Sequence, residues 1–282
     1  MAANLAKAGF EVSGWNRTAL RPSAEAASAG GVRLCARIED AVRDAAFVAT
    51  CVGDVVDVEA VLLGAGGVSS YAAPGSLVID FSTIGPVAAR RVASALGSRG
   101  LRFLDAPVTG GDVGAMAATL TIMVGGSPSD FDDAGPLLAA VGRRAVMCGP
   151  TGAGQSIKLC NQVLAALHMV ALTEALALAN AQGVNAELVV DVCTTGAAGS
   201  WALEKLGPRV LRRDFAPGFM IKHLLKDLRL VLEMPPAENF SAMFGTQLAR
   251  ELFEKVARLE QCDESCGGEL GTQALTLAYE AG

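Results

Sequence analysis

The sequence predicts an α/β protein: a doubly wound, largely parallel sheet that lacks its first strand and glycine turn, followed by an all-α domain. Three observations predict it. Through about residue 150, short β-rich runs alternate with Ala-rich helical runs, the pattern of βαβ units. After Gly154 the strand-like runs stop and apolar residues recur at helical spacing. The chain opens on Met1-Ala-Ala-Asn-Leu-Ala-Lys-Ala-Gly9, which reads as the back half of a helix rather than as a strand.

The elements follow in order. Residues 10–15 read as a strand and 19–29 as a helix. Residues 46–51 form an apolar run long enough for one buried strand, and 76–81 form another. A helix over 86–97 begins with Pro86, which suits a first turn because its missing N–H has no helical partner there. Strands follow at 101–104, 119–124 and 145–148. Their apolarity fits a sheet covered on both faces. Residues 156–182 contain no Pro, and Ile157, Leu164, Leu167, Val170, Leu172 and Leu176 recur at helical spacing, so this is one long helix ended by Gly183. The rest is mainly helical. The boundary between domains is placed near residues 149–154, giving domains at 1–150 and 151–282, with the long helix as the spine between them.

Composition narrows the function. The 282 residues are 51% hydrophobic and 18% charged, enough for a sizeable core. The net charge is −6 with no basic stripe, which excludes a nucleic-acid binder. The longest membrane candidate, 163–181, contains His168, Thr173, Glu174 and Asn180, which are costly in lipid, so no membrane partner is expected. Seven widely spaced cysteines suit a reducing compartment, cytoplasmic or an organelle matrix. Cys262 and Cys266 make a lone C-x3-C without a second pair, a poor zinc site, and no metal is expected.

A doubly wound dinucleotide fold starts with a strand, a G-x-G-x-x-G turn and a helix. Without that strand its two neighbours would carry unpaired backbone groups, which is costly. Either Met1 is not the true start or the chain is a truncated relative, and that cost favours the first. The end of the next strand meets the adenosine ribose: NAD enzymes carry an acid there, and NADP enzymes supply Arg. Here the segment is Gly14-Trp15-Asn16-Arg17-Thr18, with no carboxylate. Arg17 can pair with a 2′-phosphate, and Asn16 and Thr18 can donate hydrogen bonds. The competing explanation is a polar turn capping the next helix. Position after a strand in a βαβ series favours NADP(H), with NAD(H) second.

Three further segments carry chemistry. In Asp105-Ala-Pro-Val-Thr-Gly-Gly111, the backbone N–H groups of Gly110 and Gly111 can approach an anion closely and the Thr109 hydroxyl adds a donor, though a plain strand-to-loop turn would also use two glycines. Gly152-Ala-Gly-Gln-Ser-Ile-Lys-Leu-Cys-Asn-Gln162 places Lys158 and Asn161 one turn apart. The third segment runs from Phe219 to Lys226-Asp227-Leu228. Together with Met1-Ala-Ala-Asn-Leu5, these segments resemble the β-hydroxyacid dehydrogenases, a family that includes 3-hydroxyisobutyrate dehydrogenases, tartronate semialdehyde reductases and glyoxylate/succinic semialdehyde reductases. The resemblance spans nearly the whole chain.

It implies a Rossmann-like domain and an NADP-dependent oxidoreductase acting on a small carboxylate substrate. It implies Lys158 as the proton donor for the forming alkoxide and base in reverse, a task that hydride chemistry on a carbonyl requires. Asn161 would orient substrate or lysine, and Thr109, Gly110 and Gly111 would hold the substrate carboxylate. Val52 and Thr83, the latter beside Ser82, would line the cofactor, and Phe219, Lys226 and Asp227 would close on it. The bland alternatives are a snorkelling surface lysine for Lys158 and a helix-surface ion pair for Lys226 and Asp227. Two departures stand out. Val52-Gly53 replaces the Leu-Pro of many relatives, and Met234-Pro-Pro-Ala-Glu-Asn-Phe240 is unusual. A phosphate-binding P-loop at residues 149–156 is rejected because Gln155 stands where Lys is needed. The other class of function is a non-catalytic dehydrogenase-fold binding or dimerisation protein. The long apolar helix suggests a homodimer or homotetramer.

Overall fold

The computed structural model describes residues 1–18, 22–234, 242–259 and 266–280, and its chain divides into two compact units, Met1–Lys158 and Leu159–Gly282. The first unit carries all the named strands. Its order is α1 (Ala2–Lys7), β1 (Ser13–Gly14), α2 (Pro22–Ala29), β2 (Arg33–Leu34), α3 (Ile38–Val42), β3 (Phe47–Thr50), α4 (Val55–Leu63), α5 (Val68–Tyr71), β4 (Leu77–Asp80), α6 (Gly85–Gly97), β5 (Arg102–Asp105), β6 (Val108–Thr109), α7 (Gly111–Ala117), β7 (Leu120–Gly125), α8 (Pro128–Val141) and β8 (Gly142–Gly149). The start of the helix expected over 19–29 lies outside the described residues.

The strands form two sheets. β1 and β2 pair with each other, in parallel; the second sheet runs β3-β4-β5-β7-β6, with β8 on β7. Among the described residues, β1 pairs only with β2 and β3 only with β4. β3, β4 and β5 are parallel, and so are β7 and β8. The expectation of a largely parallel sheet needs one correction: β7 runs antiparallel to both β5 and β6. β6 is a two-residue strand that continues β5 along β7 in the same register, too short to leave a periodic signal.

Both faces of the sheet are covered, which is why its strands read as continuous apolar runs. Leu77, Ile79 and Leu104 enter one core with Ile122, Leu137 and Leu138, while Val78 and Phe103 enter another with Val58, Leu62, Val92 and Leu96. The alternation within β4 and β5 is the period of two that a strand dictates. The helices are set by local chemistry: Asp54 and Asp57 form a capping box on α4, and Pro86 lies in the first turn of α6.

α9 (Ala153–Ala181) begins in the first unit and continues into the second, close to the span expected from its apolar spacing, and Gly183 follows it at φ +68°. In the second unit come α10 (Ala186–Thr194), a π-helical turn (Ala202–Leu206), α11 (Gly207–Leu211), α12 (Ile221–Leu232), α13 (Phe244–Ala257) and α14 (Leu277–Glu280), with two short 3₁₀ turns before the last. Met169, Val170, Leu172 and Leu176 of α9 pack with Ile221, Leu224 and Leu228 of α12 and Phe253 and Val256 of α13. By length and composition α9 could cross a membrane. One stripe of it, with Met169, Val170, Leu172 and Leu176, enters the core of the helical unit, while Ile157, Leu164 and Leu178 are exposed. Most of the Met234–Phe240 segment, together with Cys262, lies outside the described residues.

Candidate active site

Ligands of open α/β sheets bind beyond the carboxyl ends of the strands. In the first unit the expected residues cluster there in sequence: Asn16, Arg17 and Thr18 follow β1, Val52 follows β3, and Ser82 and Thr83 follow β4. The Asn16 amide donates to the Thr18 carbonyl at 2.6 Å, folding the loop. The Arg17 guanidinium meets Asp57 at 3.0 Å, with the Arg17 side chain 79% exposed. Asp57 was not anticipated; it lies 40 residues away, and nothing local announces the pair. The Val52 N–H donates to Ser82 Oγ at 2.9 Å, tying the loop after β3 to the loop after β4.

Beneath these loops lies a buried polar network. Asp80 ends β4 and accepts from Thr50 Oγ1 at 2.8 Å and from the Ser82 N–H at 3.1 Å. Asp105 ends β5 and accepts the N–H groups of Gly152 at 2.6 Å and Gln155 at 2.9 Å, at the start of α9. The Gln155 side chain turns the other way. Its Oε1 accepts from the Ile84 and Gly85 N–H groups, and its Nε2 donates to the Ser82 carbonyl at 2.9 Å. A carboxylate and an amide, both fully buried, thus fix the first turn of α9 to β4, β5 and α6. The sequence contained both residues, Asp105 at the head of one motif and Gln155 inside another. Their partnership across about 50 residues was not legible.

Burial pushes the Asp105 carboxyl from 3.8 up to about 6; the Gly152 and Gln155 N–H groups pull against that rise, and the Asp80 charge adds to it. A folded-state value above the unfolded one means that the native protein binds this proton more tightly. The associated stability is present below about pH 4 and is lost as pH rises through about 6. Relative to Asp105→Asn, the wild type is expected to lose on the order of 3 kcal/mol of unfolding free energy between pH 4 and 6, then to stay level. Urea denaturation of both proteins across that range checks this, and parallel curves would refute it.

Lys158 lies one turn beyond Gln155 on α9 and is 6% exposed, so the surface-lysine alternative does not hold. Further along, Asn161 donates to Gln162 Oε1 at 2.9 Å, and Gln162 Nε2 donates to Asp227 Oδ2 at 2.5 Å. Lys226 pairs with the other Asp227 oxygen at 2.7 Å, and both side chains are largely buried, unlike a helix-surface pair. Phe219 is half-buried against the helical core, its ring 6.2 Å from that of His223. Burial, then the Lys222 and Lys226 charges, lower the His223 pKa. The structure therefore brings Asn161, Gln162, Lys226 and Asp227 together in the second unit. Thr109 lies in β6 opposite Thr121, and Gly110 and Gly111 take φ of +131° and +66°, which only glycine adopts freely, as the chain turns into α7.

Residues 1–149 match the NAD binding domain of 6-phosphogluconate dehydrogenase, and residues 152–266 match the NAD-binding domain of NADP-dependent 3-hydroxyisobutyrate dehydrogenase. The chain belongs to the β-hydroxyacid dehydrogenase family. This β-hydroxyacid dehydrogenase is 52% identical over 280 residues to an uncharacterized oxidoreductase of Synechocystis sp., covering 99% of this chain and 93% of that one. It is 37% identical over 260 residues to the NAD-dependent L-serine dehydrogenase of Pseudomonas aeruginosa, covering 90% of this chain and 86% of that one. The structure of Mycobacterium tuberculosis 3-hydroxyisobutyrate dehydrogenase with L-serine superposes with a TM-score of 0.85 at 33% identity, over 99% of this chain and 94% of the other. The protein is accordingly an NAD(P)-dependent oxidoreductase, with a Rossmann-like NAD-binding domain followed by a helical domain. Its residues fit the cofactor's chemistry at the adenosine end, where an exposed guanidinium follows β1 as a partner for phosphate or ribose.

Proposed function

We propose that this dehydrogenase transfers a hydride between NADP(H) and a small hydroxy acid or aldehyde acid: glyoxylate, succinic or tartronate semialdehyde, or 3-hydroxyisobutyrate. The observation that carries the reading is the buried Lys158, mounted one turn beyond the Asp105–Gln155 anchor of α9. Lysine is seldom buried, and one buried just beyond the carboxyl ends of β4 and β5 is placed where an amine can hold and release a proton. The bound nicotinamide supplies or accepts the hydride. In reduction Lys158 Nζ gives a proton to the carbonyl oxygen, and in oxidation it takes that proton from the hydroxyl. Asn161, one turn on, orients the substrate or the amine. Thr109, Gly110 and Gly111 receive the carboxylate. Val52 and Thr83 contact the cofactor in the first domain, at 1–150, and Phe219, Lys226 and Asp227 do so in the helical domain, at 151–282. A homodimer or homotetramer is the assembly.

Arg17 favours the 2′-phosphate, because a guanidinium meets phosphate in two charge-assisted bonds and no acid stands in residues 14–18. Fluorescence titration of the folded 282-residue chain is expected to show tighter binding of NADPH than of NADH. Arg17→Ala should weaken NADPH on the order of tenfold, the size of one charged contact, with little effect on NADH. If neither cofactor binds, the dehydrogenase reading fails and a non-catalytic role replaces it. L-serine, named for one relative, belongs in the same substrate screen.

A further inference from the structure

Arg17 does not stand alone at the adenosine end. Its guanidinium meets Asp57 Oδ1 at 3.0 Å, and the Asp57 side chain is itself 27% exposed. The other Asp57 oxygen accepts the Asp54 N–H at 3.2 Å, within the capping box of α4. That position depends on Gly53: a Cβ there would lie 2.9 Å from Asp57 Oδ2 and would push the carboxylate aside. The departure noted at Val52-Gly53 thus has a local consequence. The missing side chain makes room for an acid beside the cofactor-facing arginine.

We propose that Asp57 is a specificity-determining residue, its carboxylate accepting a ribose 2′-hydroxyl and opposing a 2′-phosphate, so that the chain takes both NAD(H) and NADP(H). The proposal rests on the cofactor reading given above: Arg17 sets the direction of the preference and Asp57 limits its size. A hydroxyl can donate to an ionised carboxylate, the arrangement that dinucleotide folds use to select NAD. Here the acid comes from the start of α4 rather than from the end of β1. A phosphate carries charge of the same sign as Asp57. It must draw Arg17 away from its partner and also tolerate the carboxylate nearby. Exposed ion pairs are weak, so Arg17 can turn to a phosphate when one arrives. Within a few ångströms, however, the charge of Asp57 is only partly screened.

The test is direct binding. Purified wild type, Asp57→Asn and Gly53→Ala are titrated with NADPH and NADH by fluorescence, with circular dichroism confirming the fold. Asp57→Asn keeps an oxygen for the Asp54 N–H, so the cap on α4 survives. The ratio of NADH Kd to NADPH Kd is expected to rise on the order of tenfold in Asp57→Asn, as a charge is removed from the phosphate's surroundings. Gly53→Ala displaces the carboxylate without removing it, and the ratio should rise in the same direction by less. A ratio within about twofold of wild type in both variants, or one that moves toward NADH, overturns the proposal. Failure of the dehydrogenase reading looks different, because the wild type would then bind neither cofactor.

Discussion

Lys158→Met is expected to lower kcat about 10³-fold, the scale of a lost general acid–base group, while NADPH binds within a few-fold of wild type. Methionine keeps an unbranched chain of similar reach at a position only 6% exposed, so packing is largely preserved and the amine is what disappears. The loss belongs to kcat because the proton is needed only as charge develops on the oxygen. KM should change little if the carboxylate is held elsewhere, at Thr109, Gly110 and Gly111. The pH profile gives a second readout: the limb of kcat that reports the essential acid or base should vanish in the variant. Turnover within tenfold of wild type would remove Lys158 from the reaction and send the search to another proton donor.

The second large effect is on stability. In Gly154→Ala the new Cβ would lie 2.3 Å from the Met123 carbonyl oxygen, 2.8 Å from Asp105 Oδ2 and 2.9 Å from the Asp105 carbonyl oxygen. Two of these atoms are backbone in β7 and β5 and cannot step aside. The first turn of α9 must then lift from the sheet, stretching the bonds from Gly152 and Gln155 to Asp105. A cost of about 3 kcal/mol is expected, at the upper end for overpacking. A lower Tm and a reduced kcat in the molecules that remain folded should accompany it. Gly97→Ala is the matched control. Gly97 is the last residue of α6, has no positive φ, is not followed by proline, and has nothing beyond its chain neighbours within 4 Å of an added carbon, so alanine there should stabilise by up to about 1 kcal/mol. Equal thermal midpoints for the two variants would show that Gly154 does not set how closely α9 approaches the strands.

These glycine and carboxylate contacts mark where reading the sequence stopped. The four strands β3, β4, β5 and β7 and the helix α9 were legible because periodicity and apolar runs are local properties. Lys158 was singled out for another reason, its place in a spaced motif that resembles a known family, and the structure adds that it is buried. Asp105 and Gln155 were visible as letters but not as partners. Gln155 entered only as the residue that spoils a P-loop, whereas its amide joins three backbone groups of residues 82–85. Asp57 was missed because its meaning depends on Arg17, which folding brings to it from 40 residues away. β6 and the reversed direction of β7 were missed because two residues carry no period and direction leaves no trace in composition.

The division of the sheet has a consequence for how the cofactor is held. β1 and β2 join by two residues each, with β2 exposed and β1 only half-buried, while β4 is buried throughout and braced on both sides. Stability is therefore uneven along the first unit: the ribbon that carries Arg17 opens at little cost, and the strands above Asp80 and Asp105 open only when the whole unit does. A dinucleotide that selects the closed ribbon meets only the fraction of molecules in which it is formed, and its apparent affinity is reduced by that fraction. On the proposed reading of Arg17, the bound cofactor is expected to act by the same linkage as a fastener, raising the hydrogen-exchange protection of residues 13–18 more than that of any strand in the larger sheet.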